Sequence, residues 1–274
     1  MTLDKFYTKP DVAQECIKYI PNIGSYDLVI EPSAGSGNFS YQLEGCLAYD
    51  IAPEGEGIIE KDYFTLTNKE LPAYNKMLVV GNPPFGPRSS LAKDFIKHSI
   101  DLGATTIAFV LPNTFNKLTN QKVFPADWRL EVYYALEGTN FTADGEDYYV
   151  PCSFYVWTRE SGTINLRDYA VDNVPEFSFC PRGSTEAHFA LNGNNGKIKD
   201  LAAITNPKAE HYIKVNEGYD VSVIRKRLES LEFNFNSSVN GNNAWLGQQD
   251  ILKAYRKAYY NEQNCIFRPR RILS

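Results

Sequence analysis

Apolar positions along the first 160 residues follow two rhythms. Over residues 10–20, Val12, Cys16, Ile17 and Ile20 recur at spacings near 3.6, and Pro10 stands at the start, which predicts a helix. Between such stretches lie short, largely apolar runs: Asp27–Ile30, Cys46–Tyr49, Met77–Val80, Ile107–Leu111, Leu130–Leu136 and Val150–Trp157. Runs of this length bounded by turn residues read as buried strands. A helix is predicted from Asn38, and another over residues 91–101 with Ser90 as its N-cap. Strands alternating with helices imply a mostly parallel α/β sheet. The last two runs, joined by the polar loop 137–149, read as an antiparallel hairpin at its edge.

Beyond residue 160 the pattern loosens. Asn/Gly-rich turns occur at Asn192–Gly196 and Asn234–Asn243, and helices are predicted at 197–204, 220–231 and 248–260. We place a domain boundary near residue 160, giving residues 1–160 and a smaller α+β region, 161–274. Composition adds limits. With 43% hydrophobic and 14% aromatic residues, the 274-residue chain is no disordered segment, and no apolar run nears the roughly 20 residues of a membrane span. Five dispersed cysteines, Cys16, Cys46, Cys152, Cys180 and Cys265, contain no CxxC pair and fit neither a disulfide framework nor a zinc site. The N-terminal residues lack a signal peptide's apolar stretch, so a cytoplasmic location is expected. The net charge of −5 argues mildly against a nucleic-acid coat protein. Yet residues 1–160 carry net −8 and residues 161–274 net +3, so the excess of acid is concentrated in the front.

Candidate chemistry gathers where the predicted strands end. Glu31-Pro32-Ser33-Ala34-Gly35-Ser36-Gly37 follows the first strand of the sheet, the place where open α/β sheets bind ligands. Glycine there admits positive φ and close approach of a ligand to the backbone; a plain tight turn is the other reading. The third glycine of GxGxxG is missing, and no Gly-Lys-Ser/Thr follows. Asp50, at the end of the second strand, can accept both hydroxyls of a ribose, or be a solvated loop aspartate. Asp62, beside Tyr63 and Phe64, could accept from an adenine amino group. After the third strand comes Gly81-Asn82-Pro83-Pro84-Phe85-Gly86. Its two prolines fix φ, remove two donors and keep Asn82 and Pro83 out of helical geometry. The stiff turn leaves carbonyls and an Asn oxygen free to grip an exocyclic NH₂, with Phe85 available for stacking.

These motifs together resemble the S-adenosylmethionine-dependent amino methyltransferases, above all the N6-adenine DNA methyltransferases. Asn82-Pro83-Pro84-Phe85 is similar to their Asp/Asn/Ser-Pro-Pro-aromatic signature, and Glu31–Gly37 to their glycine motif. Phe6-Tyr7-Thr8-Lys9-Pro10 looks like their methionine-binding motif, placed ahead of the glycine motif as in the gamma class. The resemblance covers about residues 5–160. It implies a Rossmann-like methyltransferase sheet, mostly parallel with an antiparallel edge hairpin, and S-adenosylmethionine as cofactor. It further implies that Tyr7 and Thr8 contact the methionine end, and that Glu31, Ser33, Gly35 and Gly37 shape the cofactor loop. Asp50 would hold the ribose, with Ile51 against the adenine ring, and Asp62 and Phe64 would complete the pocket. Asn82 and the Pro83 carbonyl would orient the target amino group, and Phe85 would stack on the target ring. Phe141, in the loop before the last hairpin, is either a second stacking aromatic or a side chain folded back on the core.

The implied reaction is methyl transfer to adenine N6 in DNA, with the base flipped out of the duplex. RNA adenine, N4-cytosine DNA and glutamine-N5 protein methylation use a similar turn, and a non-catalytic methyltransferase-like subunit is a further alternative. A C5-cytosine enzyme would need Pro-Cys at the turn, whereas Pro151-Cys152 lies on the predicted hairpin. His98, His188 and His211 show no metal-ligand spacing, and no metal is expected. Phosphate contacts are expected from Arg225, Lys226 and Arg227 and from the basic excess at 253–271. A bacterial or phage-infected cytoplasm is the setting that the resemblance suggests. On this reading Asn82→Ala abolishes turnover and leaves cofactor binding nearly intact.

Overall fold

The computed structural model describes residues 6–143, 145–233, 239–240 and 243–260. Cys265, Arg268, Arg270 and Arg271, and part of the turn at Asn234–Asn243, lie outside the described residues. The chain divides into two compact units between Asp168 and Tyr169.

The first unit is built on a seven-stranded sheet. Its strands are β2 (Leu28–Glu31), β3 (Leu47–Asp50), β4 (Ile59–Glu60), β5 (Met77–Gly81), β6 (Thr106–Pro112), β7 (Arg129–Ala135) and β10 (Cys152–Thr158), in the order β4-β3-β2-β5-β6-β10-β7. The pairings from β4 through β6 are parallel, and β10 runs antiparallel to both β6 and β7. This is a Rossmann-like sheet, mostly parallel with an antiparallel edge. The strand that reverses, β10, is buried at every position, while β7 forms the edge. Period-two alternation supplies both faces. Ile107, Phe109 and Leu111 pack into one core with Trp128, Tyr155, Trp157 and the α2 residues Phe95 and Ile96, α2 being Ser90–Asp101. Ala108, Val110, Phe154 and Val156 pack into the other with Ala13 and Cys16 of α1 (Pro10–Lys18) and with Phe39 and Phe141.

A separate three-stranded sheet joins β1 (Tyr7–Thr8) to the hairpin β8 (Phe141–Ala143) and β9 (Glu146–Tyr148). The polar loop expected at 137–149 therefore contains strands of its own, and these tie down the N-terminal segment. A short helix α3 (Leu118–Gln121) follows β6. The first unit also runs past the boundary expected at residue 160. The Arg167 guanidinium donates to the carbonyls of Pro125, Trp128, Gln121 and Phe124 and lies over the Trp157 ring. Arg129 holds the carbonyls of Glu160 and Ile164 in the same way.

Two expected helical features of this unit differ. The segment after Gly37 makes only a 3₁₀ turn, Ser40–Gln42, because Gly45 at φ +70° turns the chain into β3 within a few residues. Ser90 does not cap α2: Ser89 occupies the N-cap with no side-chain hydrogen bond, and Arg88 and Ser89 both have positive φ, 54° and 59°.

The second unit holds a four-stranded antiparallel sheet of β11 (Phe177–Cys180), β14 (Glu210–Val215), β12 (Phe189–Asn192) and β13 (Ile198–Lys199), in that order. A two-residue pair, β15 (Val239–Asn240) and β16 (Asn243–Ala244), completes its strands. One core joins Phe177, Phe189, Leu191, Ile213 and Val215 to Ile224 and Leu228 of α4 (Val221–Glu229) and Ile251, Leu252 and Tyr255 of α5 (Gln248–Tyr259). The helix expected at 197–204 is instead β13 and a 3₁₀ turn, since Ile198 pairs with Leu191 in the sheet.

Candidate functional site

β2, β3 and β5 are parallel neighbours, so their carboxyl ends open on one edge of the sheet. That topology brings Pro32–Gly37, Asp50–Ala52 and Asn82–Phe85 together around a cavity of about 350 Å³. Of the residues singled out in the sequence, Tyr7, Ser33, Gly35, Asp50, Ile51, Asp62, Phe64, Asn82, Pro83, Pro84 and Phe85 line it. The wall also contains Phe6, Pro32 and Tyr63, which stand in the quoted motifs without an assigned role, and Ala52, Leu91, Phe95 and Val150, which the sequence did not single out. Leu91 and Phe95 come from α2, whose apolar stripe signals a packing face without revealing that part of it borders a cavity.

The carboxylate of Asp50 is held by two backbone donors. Its Oδ2 accepts from Gly35 N and its Oδ1 from Ala52 N, both at 2.8 Å. Asp62 accepts from Phe64 N at 3.0 Å, capping the 3₁₀ turn that carries Phe64. Ile51 and Phe64 are 52% and 39% exposed, so the wall beside these two acids offers open apolar faces. Gly35 has φ +54°, and a Cβ there would collide with the Tyr7 ring, which lies across it. Tyr7 is fixed by its hydroxyl, which donates to Glu54 Oε1 at 2.8 Å.

At the turn after β5, Asn82 Nδ2 donates to the Phe6 carbonyl at 2.9 Å. That bond assigns the amide's orientation, and Asn82 Oδ1 is buried with no partner among the described residues. A buried acceptor left unmade costs about 1–3 kcal/mol, so such an atom calls for an explanation. The Phe85 carbonyl accepts from Leu91 N and Ala92 N at 3.1 and 3.3 Å, locking the turn onto the first turn of α2.

Four residues singled out in the sequence do not line the cavity. Glu31 is buried behind it, accepting from Ser40 N at 2.7 Å, and burial pushes its carboxyl up to about 8. Gly81 stands over it with φ +141°, where a Cβ would meet Glu31 Cγ at 3.2 Å. Gly37, at φ +85°, makes room for the Tyr41 ring, 2.6 Å from where a Cβ would sit. Thr8 is buried; its carbonyl accepts from Asn38 Nδ2 at 2.8 Å, and its hydroxyl has no partner among the described residues. Phe141 is a correction to the stacking role considered for it. It is fully buried and paired with Thr8 across β1 and β8, so its ring faces the core with Phe39 and Leu136. The exposed aromatics nearby are Tyr148 and Tyr149, next to cavity-lining Val150, with Tyr148 edge-on to Phe6 at 5.6 Å. Their adjacency, Tyr148-Tyr149, was the available sequence signal.

Burial raises the thiols of Cys16, Cys46 and Cys152, with Cys46 pushed up to about 12, so none is a poised nucleophile. His211 bonds the Leu246 carbonyl at 2.6 Å, and His188 accepts from Val215 N at 3.0 Å. Of the expected phosphate contacts, Arg225 is committed to Asp200 and Glu229, and Arg227 bonds Tyr255 and lies over the Tyr259 ring.

The sheet order and the edge on which its parallel strands end define a Rossmann-like fold. Residues 38–164 match the family model of the EDM2 methyltransferase-like domain. The chain is 24% identical over 179 residues to Protein ENHANCED DOWNY MILDEW 2 of Arabidopsis thaliana, a match covering 57% of this chain but 14% of that protein's length. Similar solved structures include a protein assigned as an RNA methyltransferase from Pyrococcus horikoshii (TM-score 0.43, 12% identity, 57% of this chain and 87% of that one). Another is the type IIL restriction-modification enzyme MmeI in complex with DNA (TM-score 0.38, 11% identity, 68% of this chain and 41% of that one). No helix among the described residues is long and apolar enough to cross a membrane.

Proposed function

We propose that this protein transfers a methyl group from S-adenosylmethionine to the exocyclic N6 amino group of adenine in DNA. The observation that carries the reading is the orphaned Oδ1 of Asn82, on a proline-stiffened turn, bordering the same cavity as Gly35, Asp50 and Asp62. The wall fits the cofactor's parts: fixed carboxylates for hydroxyl and amino donors, open faces of Ile51 and Phe64 for a planar ring, and a volume at the lower end of small-molecule sites.

When bound, the cofactor supplies an electrophilic methyl group on sulfur. The protein's part is positioning. Asp50 holds the ribose hydroxyls, Asp62 accepts from the adenine amino group, and Ile51 and Phe64 enclose the ring. On the target side, Asn82 Oδ1 and the Pro83 carbonyl accept the two hydrogens of the target amino group. That favours a pyramidal nitrogen with its lone pair aimed along the line of transfer, an interaction strongest in the transition state. Flipping the base costs a few kcal/mol. Phe85 offsets that by stacking worth about 1–3 kcal/mol, and Tyr149 takes the second stacking role in place of Phe141. No covalent intermediate is needed.

Incubation with labelled S-adenosylmethionine and DNA, RNA or protein tests the reading, followed by digestion and identification of the methylated base. N6-methyladenine in DNA is the expected product. Label in protein alone, or in cytosine, overturns it.

A further inference from the structure

We infer that Asn82 is a latch between the two halves of the site: its amide nitrogen holds the strap that closes the cofactor pocket, while its amide oxygen serves the target. This rests on reading the cavity as a cofactor pocket.

The strap is Phe6–Lys9. Phe6 and Tyr7 line the cavity, and the Tyr7 ring lies across Gly35. One side is anchored to the hairpin, through β1–β8 pairing, Lys9 N to the Asn140 carbonyl at 3.0 Å and Lys9 Nζ to Asp147 at 2.6 Å. The other side is anchored to the cavity wall by Tyr7 to Glu54, by Asn38 to the Thr8 carbonyl, and by Asn82 Nδ2 to the Phe6 carbonyl. The last bond alone reaches the target turn.

An asparagine amide has donors at one end and an acceptor at the other. With the strap seated, Nδ2 faces the Phe6 carbonyl and Oδ1 is the atom left over. A flipped amide would set two oxygens against each other and present donors where the target amino group needs an acceptor. Seating the strap therefore selects the competent orientation of Asn82. Binding linkage is reciprocal, so a cofactor that seats the strap tightens the target site, and an engaged target tightens the cofactor site. Asn82 then matters to cofactor binding as well, contrary to its purely target-side role in the sequence reading.

The test uses the full chain. Asn82→Asp keeps an acceptor and loses the donor to Phe6; Asn82→Ala loses both. S-adenosylmethionine affinity is measured by calorimetry without DNA, and exchange of the Lys9 amide by hydrogen–deuterium exchange without either ligand. Both variants should bind the cofactor about three- to tenfold more weakly, the size of one hydrogen bond, and exchange Lys9 faster. In turnover, the cofactor KM should rise in Asn82→Asp, while kcat should fall much further in Asn82→Ala. Tyr7→Phe, which loosens the strap from its other anchor, should lower target affinity although Tyr7 is placed on the cofactor side. Unchanged cofactor affinity or unchanged Lys9 exchange in both Asn82 variants overturns the latch. Wild-type protein that binds no S-adenosylmethionine overturns the cofactor reading instead, and the exchange experiment scores the strap contact separately.

Discussion

Single residues at this site do two jobs, and only one of each pair is written in the local sequence. The Asn-Pro-Pro-Phe turn announces a rigid acceptor, because proline geometry is local. That the same Asn holds Phe6, 76 residues earlier in the chain, depends on the fold. Gly35 is similar. Its place in Ser33–Gly37 suggests a close approach, but the partner is the Tyr7 ring. Gly35→Ala should therefore weaken S-adenosylmethionine binding at least tenfold, since Cβ meets that ring and φ is left-handed, itself costing about 1–3 kcal/mol. Calorimetry measures it; an unchanged affinity would separate Gly35 from the cofactor pocket. Phe141 marks the limit of residue-scale reading. An aromatic in a polar segment serves either a ligand or the core, and the pairing of β8 with β1 turned it inward.

At the scale of elements, the apolar runs located all the long strands of the first unit to within a residue or two. They carry no information on strand order. Val150–Trp157 reads like any buried strand, yet β10 inserts between β6 and β7 and is enclosed on both sides. The helices expected after Gly37 and at 197–204 had adequate apolar spacing but lost to a short connection and to sheet pairing. The segment after β10 shows what irregular chain can do. Arg167 satisfies four carbonyls near α3 and covers Trp157, itself stacked on Phe124 at 4.1 Å. Arg167→Ala should destabilise the first unit by about 1.5–3 kcal/mol, the range for hydrogen bonds to a charged group. A loss of unfolding free energy below about 0.5 kcal/mol in denaturant titration would mean that water replaces the guanidinium.

For the whole molecule, charge and pH are the levers. Below pH 4.5, the ordinary value for Glu31, its carboxyl is protonated in folded and unfolded chains alike. Between there and about 8 only the unfolded chain releases the proton, so stability falls as pH rises and levels off above about 8. Glu31→Gln should flatten that decline in melting temperature; a parallel curve would show that Glu31 does not titrate as its burial requires. The acidic front, net −8, contains the acids of the cavity wall, and the basic remainder is partly spoken for, as Arg225 pairs with Asp200 and Glu229. DNA affinity should thus depend only modestly on salt, with a slope of log K against log salt no steeper than about −4, and a slope nearer −10 would mean many more phosphate contacts. By itself the sequence determined the local facts: which runs are strands, which turns are stiff, and which residue types could grip a ribose, an adenine or an amino group. These follow from periodicity and from φ restrictions that act over a few residues. Only the tertiary structure decided what those residues meet, because parallel strands collect their carboxyl ends on one edge whatever their separation along the chain. That edge brought Gly35, Asp50 and Asn82 around one cavity, to which the pairing of β1 with β8 added Tyr7; it set Glu31 behind the cavity and left the amide oxygen of Asn82 without a partner among the described residues.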